Sequence, residues 1–448
     1  MGLPSAFLRC VVFAALAVST SCAPEIANDA DTPETLPFDP ASDPPKIPQP
    51  TSLAMDRSTG MVSFAAVGVT LPQDCAQAAD MSQAQCEFYR YLEGLDGFPT
   101  DLEATVPATA PVRLDSATVP DNVLALDVTR DQLAPELQVR WDAASSQFAM
   151  IPKHGWEVGR TYALGVRGYT HGIRSEQGRT FVASVPYFML KQSEPLTCGA
   201  AAAAELGACP WAALLSGPGV SQEQVFRDLS DLEAIRVSYA HELRLWDVLA
   251  AKGLPKEQVA AAWSFPTHSS SVIELNPTLN KLPKVVSSTT IELAVKGQID
   301  APTFSAFALG APGSVFLLDL TELDQQPPNL TKGIPAFQVQ IEGQALKLTT
   351  TSAMLDGHLI AILVTKAAMG GGRPLVPAPM TALLRGRGKL LDDAGHSTVE
   401  GVSDQDATQL EPARADLALL IDDPLFASLT KLSREDIVYV YAFTFPNP

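Results

Sequence analysis

The segment AWSFPT at residues 262–267 has a counterpart, AFTFPN, at residues 442–447, and this pair decides how the rest of the chain is interpreted. Two further pairs of segments match in the same order: VLALDVT at 123–129 with VFLLDLT at 315–321, and GRTFV at 178–182 with GRPLV at 372–376. The separations within the three pairs are similar but not identical. This order predicts two copies of one unit that have diverged by small insertions.

The segment VLALDVT has the pattern of a β-strand. Leu124, Leu126 and Val128 occupy alternate positions, as in a strand with one buried face. VFLLDLT keeps the same phase, and Asp319 takes the position of Asp127. Further strand-like segments lie at 137–141, 148–151 and 162–166 in the first copy and at 337–341, 346–350 and 359–364 in the second. Short strands separated by Gly and Pro clusters predict a β-sandwich in each copy.

Each copy also contains a helical stretch before its last strand. Apolar residues three or four positions apart over residues 229–249 predict an amphipathic helix that ends before Pro255. Residues 415–432 predict a shorter counterpart that is interrupted by Pro424. The first helix is therefore expected to be an insertion in a β-rich unit.

The composition favours a folded, mainly β chain. Of 448 residues, 46% are hydrophobic and 18% are charged, which is enough apolar material for packed cores. The 36 prolines favour loops and strand ends over long helices. The formal net charge of −19 repels phosphate backbones, so nucleic acid is not an expected partner. We predict a mainly β chain with a few helices, of the α+β class.

Residues 1–22 have the features of a lipoprotein signal peptide. Arg9 precedes an apolar run at residues 11–18, which is too short to span a bilayer but suits a signal-peptide core. The following STSC resembles a bacterial lipobox, in which the cysteine, here Cys22, receives diacylglycerol. Ala23 is not the aspartate that commonly marks inner-membrane retention, so the outer membrane is predicted. An ordinary secretory signal with a soluble mature protein is the alternative.

The boundaries of the mature chain follow from composition. Residues 23–50 are rich in Pro, Asp and Thr and predict a disordered tether. Residues 51–275 are predicted to form the first β-rich unit with its helical insertion, and residues 276–448 the second. No other long apolar run follows, so the N-terminal lipid is the predicted membrane attachment.

Cysteines after Cys22 form two pairs with the same spacing, Cys75 with Cys86 and Cys198 with Cys209. An exported chain meets oxidising conditions, so the spacing predicts two local disulfides. Zinc is the weaker alternative, because zinc sites usually show closely spaced cysteine or histidine pairs, and no histidine lies close to a cysteine here.

Four short, turn-rich motifs carry a family resemblance: FDP at 38–40, DRSTG at 56–60, LDGFPT at 95–100 and AWSFPT at 262–267. Together they resemble the N-terminal region of bacterial virulence-factor lipases and related lipoproteins, in which Ig-like β-domains precede an α/β-hydrolase domain. The resemblance covers about residues 38–268. The C-terminal half repeats this region without continuing into a hydrolase, so the chain predicts two tandem Ig-like β-sandwich domains of similar topology.

No catalytic residue, cofactor site or metal site is predicted. The hydrolase elbow Gly-x-Ser-x-Gly is absent; the segments around Ser58 and Ser397 each lack one glycine and predict ordinary turns. His241-Glu242 lacks the second histidine of a zinc helix, and glycines 370–372 lack the pattern of a phosphate loop. The acidic residues at 28–31 lack the spacing of a calcium loop.

Exposed aromatic side chains could form a glycan platform, for which Trp141, Trp156 and Trp211 are candidates, although core packing is favoured for them. Trp263 and Phe443 match in the repeated segments. They are predicted to occupy one equivalent, buried packing site in the two copies.

Two functions follow from these features. The first is a surface-anchored, non-catalytic envelope lipoprotein that serves as a binding or scaffold module for other envelope proteins or glycans. The second is a lipase- or esterase-associated envelope protein, which the resembled family supports. The missing hydrolase domain and elbow favour the first.

Overall fold

The computed structural model of the chain describes residues 32–40, 42, 45–198, 209–274, 283–287, 289–351 and 353–445. These residues form two β-rich units, and buried apolar side chains make a hydrophobic core that runs through both. Within these ranges, no helix has the length and apolar character needed to cross a membrane.

The first unit contains the following strands: β1 (Glu34–Leu36), β2 (Ala104–Pro107), β3 (Val123–Asp127), β4 (Gln132–Leu133), β5 (Leu137–Asp142), β6 (Gln147–Pro152), β7 (Thr161–Arg167), β8 (Phe181–Ala183) and β9 (Val259–Pro266). Its α-helices are α1 (Gln83–Glu93), α2 (Val185–Leu190), α3 (Ala212–Leu215), α4 (Gln222–Val237) and α5 (Leu245–Ala251). Most helices therefore lie between β8 and β9, where the sequence predicts a helical insertion.

The second unit contains the following strands: β10 (Val272–Ile273), β11 (Lys284–Ser287), β12 (Thr290–Lys296), β13 (Val315–Asp319), β14 (Phe337–Glu342), β15 (Ala345–Thr350), β16 (Leu359–Thr365), β17 (Met369–Gly370), β18 (Arg373–Pro374) and β19 (Ile437–Thr444). Its α-helices are α6 (Leu320–Leu323), α7 (Leu330–Gly333), α8 (Pro379–Leu384), α9 (Asp404–Ile421) and α10 (Pro424–Thr430).

Each unit contains two antiparallel sheets with the same strand order. In the first unit, β6 lies between β2 and β5, and β7 lies between β3 and β9. In the second unit, β15 lies between β12 and β14, and β16 lies between β13 and β19. The predicted fold class, mainly β with a few helices and two sandwich-like units, is confirmed. Descent of both units from one ancestral sequence stays a prediction, as does their Ig-like character.

The two LD-containing strands take the same place in their units. Strand β3 pairs with β7 so that Asp127 faces Tyr162, and β13 pairs with β16 so that Asp319 faces Ile360. Their predicted common phase is therefore observed. The prediction of a single buried face is wrong, because all five residues of each strand are buried.

Helices cover the second face of these sheets. On β7, a Cβ added at Gly165 would lie only 2.6 Å from Leu254 Cδ2 and 3.1 Å from Leu249 Cδ2, so the helical layer sits directly on the strand. Alternation of apolar and polar residues is typical of a sheet with one solvent-exposed face. When a helix covers that face, the residues on both faces are buried.

The sequence match between the last strands, β9 and β19, differs by two residues from the equivalence that their pairing in the sheets shows. Pro266 pairs with the first residue of β7 and Thr444 with the first residue of β16, and both ladders contain a bulge near the other end. The equivalent pairs are therefore Trp263 with Tyr441 and Phe265 with Phe443. The predicted equivalence of Trp263 and Phe443 is wrong, although both side chains are buried. A shift of two residues keeps every side chain on its face, so alternation cannot detect it.

Part of the predicted tether is folded. Strand β1 pairs in parallel with β8, and Leu36, Phe38 and Ile47 are buried. Phe38 packs on the ring of Tyr187 at 4.6 Å between centroids. The disordered assignment is therefore wrong for residues 34–40 and 45–50, where isolated apolar residues fill a core that other segments build.

The predicted boundary after residue 275 also lies too late. Val272 and Ile273 of β10 pair with β12, and Val272 bridges Val376 in parallel, as β1 pairs with β8 in the first unit. The second unit therefore begins at β10.

The helical layer is more divided than the sequence predicts. A π-helical turn at Ser238–Glu242 separates α4 from α5. The helix expected over residues 415–432 begins instead at Asp404, because the Ser403 hydroxyl accepts a hydrogen bond from Asp406 N and caps it. Pro412 lies inside this helix.

A Glu-x-x-Arg pair on the long helix fastens the same loop in each unit. In the first unit, Glu233 accepts from Leu196 N at 2.9 Å while Arg236 donates to Gln192 O at 3.2 Å. In the second unit, Glu411 accepts from Leu390 N and Arg414 donates to the carbonyl oxygens of Gly386 and Arg387. The segments LEAIR at 232–236 and LEPAR at 410–414 carry this device, and they are a further repeat that the sequence comparison missed.

A cation after the short helix also binds the last strand in both units. Lys191 Nζ donates to Val259 O at 2.9 Å, and Arg385 Nη1 donates to Ile437 O at 2.7 Å. Burial lowers the pKa of the Lys191 ammonium to about 8. In both units this cation follows a leucine, as Leu190-Lys191 after GRTFV and as Leu384-Arg385 after GRPLV.

Helix α1 joins the units. It belongs to the first unit, yet the carboxylate of Glu87 accepts hydrogen bonds from Arg387 N at 2.8 Å and Gly388 N at 3.2 Å. The Tyr91 hydroxyl donates to Pro377 O at 2.7 Å. The second unit is thus covered at its α8 end by a helix that only the first unit supplies.

Candidate functional site

The residues proposed from the sequence do not gather at one place. Cys22, the predicted lipidation site, lies outside the described residues. The structure contains a disulfide between Cys75 and Cys86 and another between Cys198 and Cys209, which are the two local pairs expected. The first of these ties the preceding turn to α1, the helix that contacts the second unit.

The serines of the two near-elbow segments are engaged in their own turns. Ser58 Oγ donates to Asp56 Oδ1 at 2.7 Å, and Ser397 Oγ donates to Val399 O at 3.1 Å. The histidine closest in sequence, His396, contacts Asp404 at 3.0 Å on the surface. Among the described residues, no hydrogen bond joins either serine hydroxyl to a histidine. In the part of the chain that the structure covers, no cluster of three or more acidic, histidine or cysteine residues could hold a metal ion.

The candidate tryptophans do not form a shared platform. Trp156 is buried, donates its Nε1 hydrogen to Leu102 O at 2.8 Å, and packs edge-on against Phe265. Trp141 and Trp211 are half-buried on β5 and before α3. Trp156 therefore has no free ring face for a sugar.

A large cavity lies in the second unit, between its helices and the helix-facing side of the β13-β16-β19 sheet. Its volume is about 1000 Å³, at the upper end of the range of small-molecule sites. Helices α8, α9 and α10 form one wall, and Leu318 and Ala442 on the sheet form the floor. The inner lining is apolar: Leu318, Leu320, Leu323, Ile334, Met380, Leu384, Leu410, Ala413, Leu417, Phe426, Leu429 and Ala442.

The helical layer of the first unit contains two large aromatic side chains. Tyr239 and Trp246 are buried and contact each other edge-to-face, at 6.1 Å between ring centroids. The Glu-x-x-Arg pairs bind the equivalent loop in each unit and therefore align the two long helices. Counted from these pairs, Leu417 and Pro424 of the second unit occupy the positions of Tyr239 and Trp246. The second unit thus has two smaller side chains in its helical layer, and one of them, Leu417, lines the cavity.

The mouth of the cavity is apolar at its lip and acidic at its rim. Leu419 is 76% exposed, and Leu359 and Leu425 are also exposed, although all three line the cavity. The lining contains no Lys, Arg or His. Four aspartates complete the rim: Asp324, Asp406, Asp416 and Asp423. An apolar ligand could therefore enter past Leu419 into a site whose opening is negatively charged.

The α10 end of this rim is closed to anions. Asp423 caps the helix, because its Oδ1 accepts hydrogen bonds from Leu425 N and Phe426 N. The helix N–H groups that would otherwise attract an anion are thus satisfied by the protein's own carboxylate.

Comparisons with known proteins give little further information. No protein-family model matches the chain, and no curated protein matches it. Among solved structures, the chain is similar to the N-terminal part of the bacterial S-layer protein SbsC, with 14% sequence identity and a TM-score of 0.15. The match covers 32% of this chain and 28% of that chain. A similarity this weak carries no argument about fold or function.

The sequence could have indicated the cavity through one difference between the copies. Pro424 marks a weakened helix in the second copy, at the position where the first copy has Trp246. That difference is visible only when the copies are aligned through LEAIR and LEPAR, because the last strands alone place them out of register.

Proposed function

We propose that this chain is a non-catalytic lipoprotein of the cell envelope that binds a hydrophobic ligand in the cavity of its second unit. The observation that carries the proposal is the cavity of about 1000 Å³ with its apolar lining and exposed leucines at the mouth. The predicted signal peptide and Cys22 support attachment to the outer membrane through lipid. The two disulfides fit an oxidising compartment.

The cavity is better explained by a ligand than by poor packing. Protein interiors are close-packed, and voids much larger than a water molecule are few. In the first unit, the position equivalent to the cavity-lining Leu417 carries a large buried ring, that of Tyr239. A second unit that keeps the space open, with leucines leading into it, is what a site for an apolar ligand requires.

The proposal is tested with a plugged variant, in which the second unit carries the two aromatic residues of the first unit at the equivalent positions. Nile red, an uncharged dye whose fluorescence rises in apolar surroundings, is titrated into the purified mature protein and into the variant with Leu417→Tyr and Pro424→Trp. We expect a loss of dye affinity of roughly tenfold or more, because Leu417 lines the cavity and a tyrosine ring at this position takes up part of its volume. Leu309→Tyr makes a similar change at a leucine that is 49% exposed and does not line the cavity.

The control variant is expected to bind the dye like the unmodified protein. Far-UV circular dichroism would establish that the plugged variant is folded. Equal dye affinity of the folded plugged variant and the unmodified protein would contradict the cavity as the binding site.

A further inference from the structure

The shape and chemistry of the cavity restrict the class of ligand that it can hold. Its inner wall consists of aliphatic side chains and one ring, that of Phe426, and its polar side chains are near the mouth or on the strand and helix edges: Thr321, Gln409, Thr430 and Tyr441. A peptide inserted here would bury several N–H and C=O groups without partners, and each unpaired group would weaken its binding. A hydrocarbon chain has no such groups to satisfy.

The lip of the cavity indicates where the other end of the ligand lies. Leu419 on α9, Leu359 at the start of β16 and Leu425 on α10 are all exposed and continue the apolar lining outward. A hydrocarbon chain that fills the interior therefore passes these leucine side chains at the mouth, and its outer end lies among the aspartates. The head group of an amphiphile would sit at that position.

The rim selects the charge of the head group. Asp324 and Asp416 are exposed, and neither carboxylate accepts a hydrogen bond from another described residue. Asp406 and Asp423 are held by Ser403 and by the N terminus of α10. No cation in the lining offsets these four carboxylates. The Arg140 guanidinium of the first unit interacts electrostatically with Asp406, but carboxylates are in excess at the rim, so an anionic head group would be repelled there and a cationic one attracted.

We infer that the ligand is a single-chain amphiphile whose head group is uncharged or positively charged, and that the aspartate rim discriminates against fatty acids and anionic lipids. This inference rests on the proposed function, because it concerns the same cavity. It adds the selection by charge, which the apolar lining alone does not provide.

Three amphiphiles with the same twelve-carbon chain test the inference by displacement of Nile red below their critical micelle concentrations. They are dodecyl maltoside, which is uncharged, dodecyltrimethylammonium, which is cationic, and dodecanoate, which is anionic at pH 8. We expect dodecanoate to bind roughly tenfold more weakly than dodecyl maltoside, and dodecyltrimethylammonium to bind at least as tightly as dodecyl maltoside. Added salt should reduce these differences, because it screens exposed charges.

Substitutions at the rim separate local repulsion from the overall negative charge of the chain. Asp324→Asn with Asp416→Asn is expected to strengthen dodecanoate binding by roughly threefold or more and to leave dodecyl maltoside unchanged. Asp80→Asn with Asp121→Asn removes the same number of charges from exposed positions of the first unit and should change neither affinity.

The outcomes distinguish the two proposals. Equal affinity for the three amphiphiles, or an equal gain of dodecanoate binding in the rim and control variants, would overturn the selection by charge while leaving the hydrophobic site in place. Failure of Nile red and of all three amphiphiles to bind would overturn both.

Discussion

Helix α1 should couple the stability of the two units, and Gly388 is the position at which this coupling can be broken. A Cβ at Gly388 would press on the backbone of Ala84 in α1, contacting Ala84 N and lying 2.6 Å from Ala84 Cα. Backbone atoms within a helix cannot turn aside as a flexible side chain can. The substitution Gly388→Ala is therefore expected to push α1 away from the second unit.

The size of the effect follows from the contacts that α1 would lose. Overpacking alone typically costs about 1–3 kcal/mol. Displacement of α1 would also weaken the two hydrogen bonds to Glu87 and the bond from Tyr91 to Pro377, each worth about 1 kcal/mol. We expect the free energy of unfolding of the second unit to fall by about 3–5 kcal/mol. For a unit of its size this corresponds to a decrease in Tm of roughly 6–20 °C.

The distribution of tryptophan makes the measurement specific to each unit. All five tryptophans lie in the first unit: Trp141, Trp156, Trp211, Trp246 and Trp263. Tryptophan fluorescence therefore follows unfolding of the first unit, whereas calorimetry follows the whole chain. In Gly388→Ala we expect a calorimetric transition at lower temperature that tryptophan fluorescence does not report. In the unmodified protein the two measurements should coincide more closely.

Gly217→Ala is the matched control, since the nearest atom to its added Cβ is Val220 Cγ2 at 3.9 Å. It should leave both transitions unchanged. If Gly388→Ala melts like the unmodified protein by both methods, the contact of α1 with the second unit does not contribute to stability, and the units are independent as the sequence alone would suggest.

Three further predictions concern the anchor, a disulfide and a buried histidine. Cys22→Ala should abolish fatty-acid labelling of the protein in cells, and unchanged labelling would contradict lipidation. Replacing Cys75 and Cys86 with serine should lower the free energy of unfolding in urea by about 2–3 kcal/mol, because the bond closes a loop over a sequence separation of 11; an unchanged midpoint would argue against this. Burial lowers the pKa of His268 to about 4 from 6.5, so between these pH values the unfolded chain binds a proton that the folded chain does not. The free energy of unfolding should therefore fall by up to about 1.4 kcal/mol per pH unit as the pH drops from 6.5 towards 4. His268→Gln should flatten that slope, and an equally steep slope in the variant would contradict the assignment.

Several features of this protein could be predicted from local sequence. The phase of VLALD and VFLLD places Asp127 and Asp319 at equivalent positions, because the side-chain period of a strand is set by its own backbone. The short spacing of Cys75 and Cys86 indicates a local loop closure without knowledge of the fold. The burial of Trp263 follows from its size and its position on an alternating strand.

Other features depend on which segments meet, and local sequence does not contain that information. The register of β19 is set by its hydrogen bonds to β16. From the sequence, Phe443 is as consistent a counterpart of Trp263 as Tyr441, the equivalent residue in the structure. Leu36 and Phe38 lie in a segment with the composition of a tether, yet they are buried because β8 and Tyr187 supply the remainder of their packing.

The cavity is the clearest case in which tertiary structure decides. Leu417 is unremarkable in a helical sequence and Pro424 indicates only a break in the helix, and a leucine on a buried face predicts a filled core. Their consequence appears only where the helical layer packs on the β13-β16-β19 sheet and too few atoms remain to fill the space between them. The sequence by itself determines which residues are apolar and on which face they lie. Whether these apolar faces enclose a packed core or an open site depends on the volume left when the layers come together, which is a property of the assembled unit and not of any segment.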